Sequence, residues 1–256
     1  MGRMTSSAVA VVMLLGGHLA RAGSEVSQDI PGHGKVNFTD KTITATGTGA
    51  PNLKAPNAAV ARIGAERTAR LDALRNILET VKGVTVTGTV SAAGALSDSP
   101  SVTAKVQGIV QNFKVIDTKY YSDGGVDMIV EVPLNGVTDA FVGEQAGKAV
   151  PKKAAASDAT GLIINAKGLS LPPAIAPRVV DEKGNTVYSV EQVEKAAVIQ
   201  HGVAGYTRSL DQAMKTVLWR APGGEGVETC DAAGLGGFSQ RRCGQSRAAW
   251  ICAQRR

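Results

Sequence analysis

Hydrophobic positions recur along the chain with two different periods. Residues 35–49, KVNFTDKTITATGTG, alternate apolar or β-branched side chains with polar ones on either side of Thr39-Asp40. That period of two predicts a hairpin or two short strands. From Ala58 to Val81 the period changes to three and four: Val60, Ile63, Leu71, Leu74, Ile77, Leu78 and Val81 form one stripe. This predicts a long amphipathic helix, with Asn57 as its N-cap and Gly83 as its stop. VTVTGTV (84–90) has a strand's period, Ser91–Ser99 reads as a small-residue loop, and Ser101–Gln111 repeats the helical pattern through Val102, Val106, Ile109 and Val110. FKVIDTKYY and VDMIVEVPL flank Ser122-Asp123-Gly124-Gly125, a strong hairpin signal.

The expected first domain, 35–142, is therefore α+β, an antiparallel sheet with two helices. Residues 143–159 combine Pro151, a lysine pair and an alanine run, and read as a linker. A smaller domain, mixed α/β or β-rich, follows over 160–215. It comprises GLIINAK as a strand, the Pro-bounded LPPAIAPRVV, a hairpin turning at Lys183-Gly184-Asn185, a short helix from Ser189 to Lys195, and a surface helix in GYTRSLDQAMK (205–215).

Both ends depart from these patterns. The first residues carry Arg3, an apolar run from Ala8 to Leu15 and the small-x-small triplet Ala20-Arg21-Ala22. These are the parts of a secretory signal cleaved after Ala22, and the run is too short for a bilayer, which takes about 20 apolar residues. Residues 23–34, rich in Gly and polar side chains, read as a flexible leader. Beyond residue 215 the periodicity fades, and Gly, Arg, Cys and Trp take over. All three cysteines, Cys230, Cys243 and Cys252, lie in this tail, as do both tryptophans. A frameshift in a GC-rich gene generates such a composition, so 216–256 is expected to be foreign to the fold.

The net charge of +6 suggests nucleic acid until its distribution is considered. Arg3 and Arg21 precede the cleavage site and six arginines follow residue 216, leaving the body nearly balanced. Aromatic residues make up only 4% of the chain, so base-stacking platforms are scarce and the core is aliphatic. No nucleic-acid partner is expected, and no transmembrane helix.

Candidate chemistry is thin. Twelve residues separate Cys230 from Cys243, and eight separate Cys243 from Cys252, without the paired spacing of zinc sites. A disulfide suits an exported protein, but three cysteines leave one over. PGHGK (31–35) lacks the ending of a phosphate loop, and the glycines of ATGTG (45–49) lack dinucleotide-binding spacing; they read as letting a strand leave the sheet. His18, His33 and His201 stand in no nucleophile motif. No catalytic residue, metal or cofactor is assigned. The remaining candidate is a charged interaction face on the long helix, Arg62, Glu66, Arg70 and Arg75, with i,i+4 ion pairs as its structural alternative.

ATGTGAP (45–51), AVARIGAERTARLDALRNILETVKGVTVTG (59–88) and SDSPSVTAKVQGIVQNFKVIDTKYYSDGGVDMIVEVPL (97–134) together resemble envelope proteins. The resemblance is to those related to flagellar assembly protein T and to the twenty-kilodalton outer-membrane lipoprotein family. TGLIINAKGLSLPPAIAPRVVDEKGNTVY (160–188) resembles the second domain that often accompanies them. The resemblance implies an exported, non-enzymatic bacterial protein of the periplasm or cell envelope. It would act by contact with envelope or flagellar proteins, with peripheral association to the outer membrane. The lipidated cysteine of the lipoproteins is absent here, so no lipid anchor is expected. The alternative is a periplasmic ligand-binding module or an accessory to cell-wall enzymes.

Overall fold

The computed structural model describes residues 25–32, 34–148, 161–166, 171–180, 184–209, 212–213, 227–231 and 249–252. The expected signal segment and most of the expected linker lie outside these residues. The fold is α+β.

Strands β1 (Ser27–Ile30), β2 (Gly34–Asn37) and β3 (Thr42–Gly49) form an antiparallel meander. With β4 (Lys114–Tyr120) and β5 (Val126–Pro133) they make a five-stranded sheet of order β1-β2-β3-β5-β4. The leader expected over 23–34 therefore contains an edge strand, Ser27 facing Asn37 and Ile30 facing Gly34. Its polar sequence hides it, because an edge strand is held by backbone pairing on one side and needs no apolar alternation. The β4–β5 hairpin turns as expected, with Gly124 at φ 88 and the Gly125 N–H donating to Asp123 Oδ1 at 2.8 Å. A register shift between Val115 and Asp117 bulges β4.

One face of this sheet is covered by α1 (Ala58–Lys82). Asn57 caps it, its Oδ1 accepting from the Val60 N–H at 2.9 Å. The side of α1 that meets the sheet is Ala65, Ala69, Ala73 and Ile77, all fully buried. Opposite lie Ile43, Ala45, Gly47 and Gly49 of β3 and Val126, Met128, Val130 and Val132 of β5. A Cβ on Gly47 would overlap the Ala69 carbonyl and the Ala73 backbone, and one on Gly49 the Ala65 carbonyl. These glycines thus serve helix approach, where the sequence suggested a strand exit.

Strand β2 pairs with β3 only as far as Ala45, which leaves one edge of Thr46–Gly49 open. Two side chains of α1 close it: Asn76 Nδ2 donates to the Thr46 carbonyl and the Thr48 N–H donates to Asp72 Oδ2, each at 2.9 Å. Backbone groups without a strand neighbour thereby find partners.

The expected strand over 84–90 is instead a chain of bends with a single bridge, Thr85 to Ser91. Its backbone folds on itself, Val86 N–H to the Val90 carbonyl and Ala92 N–H to the Val84 carbonyl. The expected loop after it is a helix, α2 (Ala92–Asp98), capped by Ser91. Then follow α3 (Pro100–Gln111), close to its expected bounds, and, after β5, α4 (Leu134–Val142). Helix α4 has no counterpart in the sequence reading; its apolar residues are nearly continuous with those of β5, which masks the change of period.

The second unit begins at β6 (Gly161–Asn165) and continues through the short antiparallel pair β7 (Val179–Val180) and β8 (Thr186–Tyr188). The short helix expected from Ser189 to Lys195 is a 3-10 turn, Val190–Gln192, with the Ser189 N–H donating to Gln192 Oε1 at 3.2 Å. Helix α5 (Lys195–His201) is separate from it. The expected surface helix over 205–215 is corrected: β9 (Ala204–Thr207) occupies its start, and among the described residues only Gln212 and Ala213 are helical. Tyr206 explains the strand. Its buried hydroxyl donates to the Ala174 carbonyl at 2.8 Å and accepts the Ala174 N–H at 3.1 Å, and burial raises its pKa. The tail supplies β10 (Val227–Asp231) and β11 (Ala249–Cys252), giving a parallel sheet of order β10-β6-β11-β9. Such pairing is a backbone property, so it admits segments of unusual composition. Cys230 stands beside Ile164 and Cys252 beside Asn165 on opposite flanks of β6. Two strand spacings, about 10 Å, separate those backbone positions, more than a disulfide spans.

The units share one apolar core. At the seam, Thr39 Oγ1 donates to the Tyr206 carbonyl at 2.9 Å, and the Phe38 and Tyr206 rings meet edge to face at 5.5 Å. Asn135 Nδ2 donates to the Gln200 carbonyl at 2.8 Å and Lys41 Nζ to the His201 carbonyl, so the first unit caps the C-terminal end of α5. Lys41 is half-buried, and desolvation lowers its pKa.

Gly47→Ala is expected to cost about 2–3 kcal/mol in urea unfolding, as overpacking does. Gly108→Ala in α3, where an added Cβ meets nothing within 4 Å, should instead stabilise by up to about 1 kcal/mol. For Lys41, the folded state sheds its proton first on alkalinisation, so the unfolded state binds more protons between the lowered pKa and the ordinary value of about 10.4. Wild-type stability relative to Lys41→Met should therefore rise with pH across that window. A difference that stays flat or falls would show that burial does not depress this lysine.

Candidate interaction surface

The face expected to be functional, Arg62, Glu66, Arg70 and Arg75, is divided by the helix's actual orientation. Three of its members lie along the seam between α1 and β4. The Arg62 guanidinium sits over the Tyr120 ring, 5.5 Å from its centroid, and that of Arg70 over Phe113 at 5.2 Å. Hydrogen bonding to the Glu66 carboxylate raises the Tyr120 hydroxyl above the ordinary phenol range, with partial desolvation adding to it. No ion pair joins Glu66 to Arg62 or Arg70 among the described residues. Ring stacking replaces the expected i,i+4 pairs, at about 0.5–1 kcal/mol per exposed contact. Arg75 points away from these three, into solvent.

The apolar stripe is corrected in the same way. The sheet receives the alanines of α1 because its glycines bring the backbones too close for larger side chains. Val60, Ile63 and Leu71, expected in the core, are exposed at 46%, 49% and 68%. Leu74 and Leu78, further along, are partly buried, and Val81 is fully buried. Leu53, in the loop before the helix, is 91% exposed. Nothing in the sequence reading singled out Leu53; the usable signal is a large aliphatic residue between Asn52 and Lys54 in a loop bounded by Pro51 and Pro56.

The loop and the first turns of α1 enclose a groove of about 450 Å³, lined by Lys54, Pro56, Val60, Ile63, Gly64 and Arg67 among others. Its floor is largely aliphatic and its rim cationic. Lys54, Arg67 and Arg75 are exposed, and none pairs with a carboxylate among the described residues. The acids of this stretch face elsewhere, Glu66 toward Tyr120 and Asp72 toward the Thr48 N–H. The first turn of α1 holds no acidic side chain, so the helix's positive end adds the same sign.

A second groove, about 370 Å³, lies between α3 and α4 against Lys105, Ile109, Asn112 and Asp139. Lys105 makes a 2.9 Å ion pair with Glu144 at its margin, which raises the lysine's pKa and lowers the carboxylate's. On the open side of the sheet, Asp127 accepts from Tyr121 Oη at 2.7 Å and Thr48 Oγ1 at 2.8 Å, and these bonds hold its carboxyl below the ordinary range. Among the described residues no three His, Cys, Asp or Glu side chains are placed to share a metal ion, and no helix is long and apolar enough to cross a membrane. His201 ends α5; His18, His33 and Cys243 lie outside the described residues.

Residues 161–221 match the family model for the second domain of Treponema pallidum Tp0624. The match opens at the first residue of β6, runs through β9 and ends before β10. It covers the second unit as far as β9 and leaves β10, β11, α1 and the groove outside. No curated protein matches the chain.

Substituting the exposed stripe should leave the fold intact. Val60→Gln and Leu71→Gln are each expected to change stability by less than about 0.5 kcal/mol. Ile77→Ala, on the sheet side of the same helix, should cost about 2–5 kcal/mol. Urea unfolding followed by circular dichroism distinguishes the two faces.

Proposed function

We propose that this chain is an exported, non-enzymatic protein of the bacterial cell envelope that works by protein contact, and that the outward face of α1 is its contact surface. One observation carries the second part: Val60, Ile63 and Leu71 are held outward on a helix whose other face is committed to the sheet. Uncovered aliphatic side chains with a polar and charged surround are characteristic of interaction sites. Export and the envelope setting rest on the Arg3–Ala22 pattern and on the sequence resemblance of 45–134 to flagellar and outer-membrane assembly proteins. Within that reading the second unit, docked through Thr39, Lys41 and Asn135, holds the α1 domain in a fixed orientation.

The test is site-specific photocrosslinking from position 71 in cells, followed by mass spectrometry of envelope fractions and of isolated flagellar basal bodies. The mature protein should begin at Gly23, and crosslinked envelope proteins should disappear when Val60→Gln and Ile63→Gln are added. A crosslink pattern indifferent to those substitutions would sink the assignment of α1. Recovery of the intact, uncleaved chain in the cytoplasm would sink the envelope assignment.

A further inference from the structure

The groove at the start of α1 combines three properties that specify its occupant. Its floor, Pro56, Val60, Ile63 and Gly64, is aliphatic and deepened where Gly64 has no side chain. Leu71 lies on the same side of the helix as Val60 and Arg67, at offsets of eleven and four residues, so the apolar track continues along the axis beyond the groove. Its walls carry Lys54 and Arg67, and beyond the groove Arg75, one turn past Leu71, adds a third exposed cation. Of the acids that could have neutralised that rim, Asp72 accepts the Thr48 N–H at 2.9 Å and Glu66 lies toward Tyr120, on the β4 side of the helix.

We propose that this groove docks an acidic amphipathic helix of a partner protein. Its aliphatic stripe would lie over Val60, Ile63 and Leu71, and its flanking carboxylates would meet Lys54, Arg67 and Arg75. The inference rests on the protein-contact reading above and adds the partner's chemistry. Helix-in-groove recognition lays a partner helix's apolar side chains, at i, i+3, i+4 and i+7, into an apolar groove; along α1 the aliphatic track is Val60, Ile63 and Leu71, with Gly64 and Arg67 between. A second copy of α1 is a poor occupant, because it would set Arg67 and Arg75 against like charges. A lipid surface is also disfavoured, since a flat layer would leave the concavity between the 52–56 loop and the helix unfilled.

The experiment is fluorescence anisotropy with the whole mature chain and a labelled 18-residue helical peptide carrying leucines at i, i+3, i+4 and i+7 between glutamates. Two controls accompany it: the same peptide with every Glu replaced by Lys, and a scrambled acidic peptide with no apolar stripe. The acidic amphipathic peptide should bind at least about tenfold more tightly than either control, and more weakly as salt is raised. Arg67→Glu should weaken it about tenfold or more, and the pair Lys54→Glu, Arg67→Glu should transfer preference to the lysine peptide. Val60→Gln with Leu71→Gln should remove binding of both. Circular dichroism of every variant should match the wild type, these positions being exposed. Equal binding of all three peptides, or no effect of Arg67→Glu, would overturn the proposal. So would binding to phosphatidylglycerol vesicles with none to the peptide. If the peptide fails while position-71 crosslinks still depend on Val60 and Ile63, the partner chemistry is wrong and the contact surface stands. If those crosslinks are missing as well, both readings fall.

Discussion

The close seating of α1 on β3 is the constraint from which the rest of the first unit follows. Gly47 and Gly49 remove the side chains that would hold the helix off, and Ala65, Ala69 and Ala73 fill the space with methyl groups. Backbone then meets backbone, and Asp72 and Asn76 can reach the free edge of β3. On the opposite flank Arg62 and Arg70 come down over Tyr120 and Phe113. A helix standing a full side-chain layer higher would make none of these four contacts. The same seating decides which residues face outward, since a narrow alanine track leaves the larger aliphatics no place in the core.

The joint between the units depends on a different principle. The last carbonyls of a helix lack intrahelical partners and carry its negative end. In α5 two of them, from Gln200 and His201, are satisfied by Asn135 and Lys41 of the other unit. Backbone bonds from Ile175 to Thr85 and from Ala176 to Val86 add a second line of attachment along the bends after α1. These main-chain acceptors fix the orientation of the two units, while the shared apolar core holds them together.

The sequence was legible wherever local chemistry determined the element. Asn57, the Ser122–Gly125 turn and Ser189 announced their elements because each acts within a few residues. It misled where tertiary geometry chose between options. A stripe of Val, Ile and Leu outranks alanines on any hydrophobicity scale, yet only alanine fits against glycine backbone, so the inner and outer faces of α1 were exchanged. Of the four charged residues proposed as a site, Arg62, Glu66 and Arg70 lie against Tyr120 and Phe113 and Arg75 does not, because the position of β4 beside them depends on a hairpin some fifty residues away. β1 escaped notice because it is short and polar, and β9 because the pull on Tyr206 comes from Ala174. The alanine face and the two glycines could have been read together as a close-packed pair; the basic groove needed the path of the 52–56 loop.

The bulge in β4 bears on how the protein behaves at high concentration. An outermost strand offers its free hydrogen-bonding edge to any other chain, which is how sheets grow into fibrils. Here Ile116 interrupts the regular register and Lys114, Asp117 and Lys119 place charge along the same strand. An incoming strand would lose registry partway along and bury charge as it docked. The sheet therefore resists extension at β4, the edge beside α1's Arg62–Arg70 flank, while the aliphatic side chains of α1 stay on display.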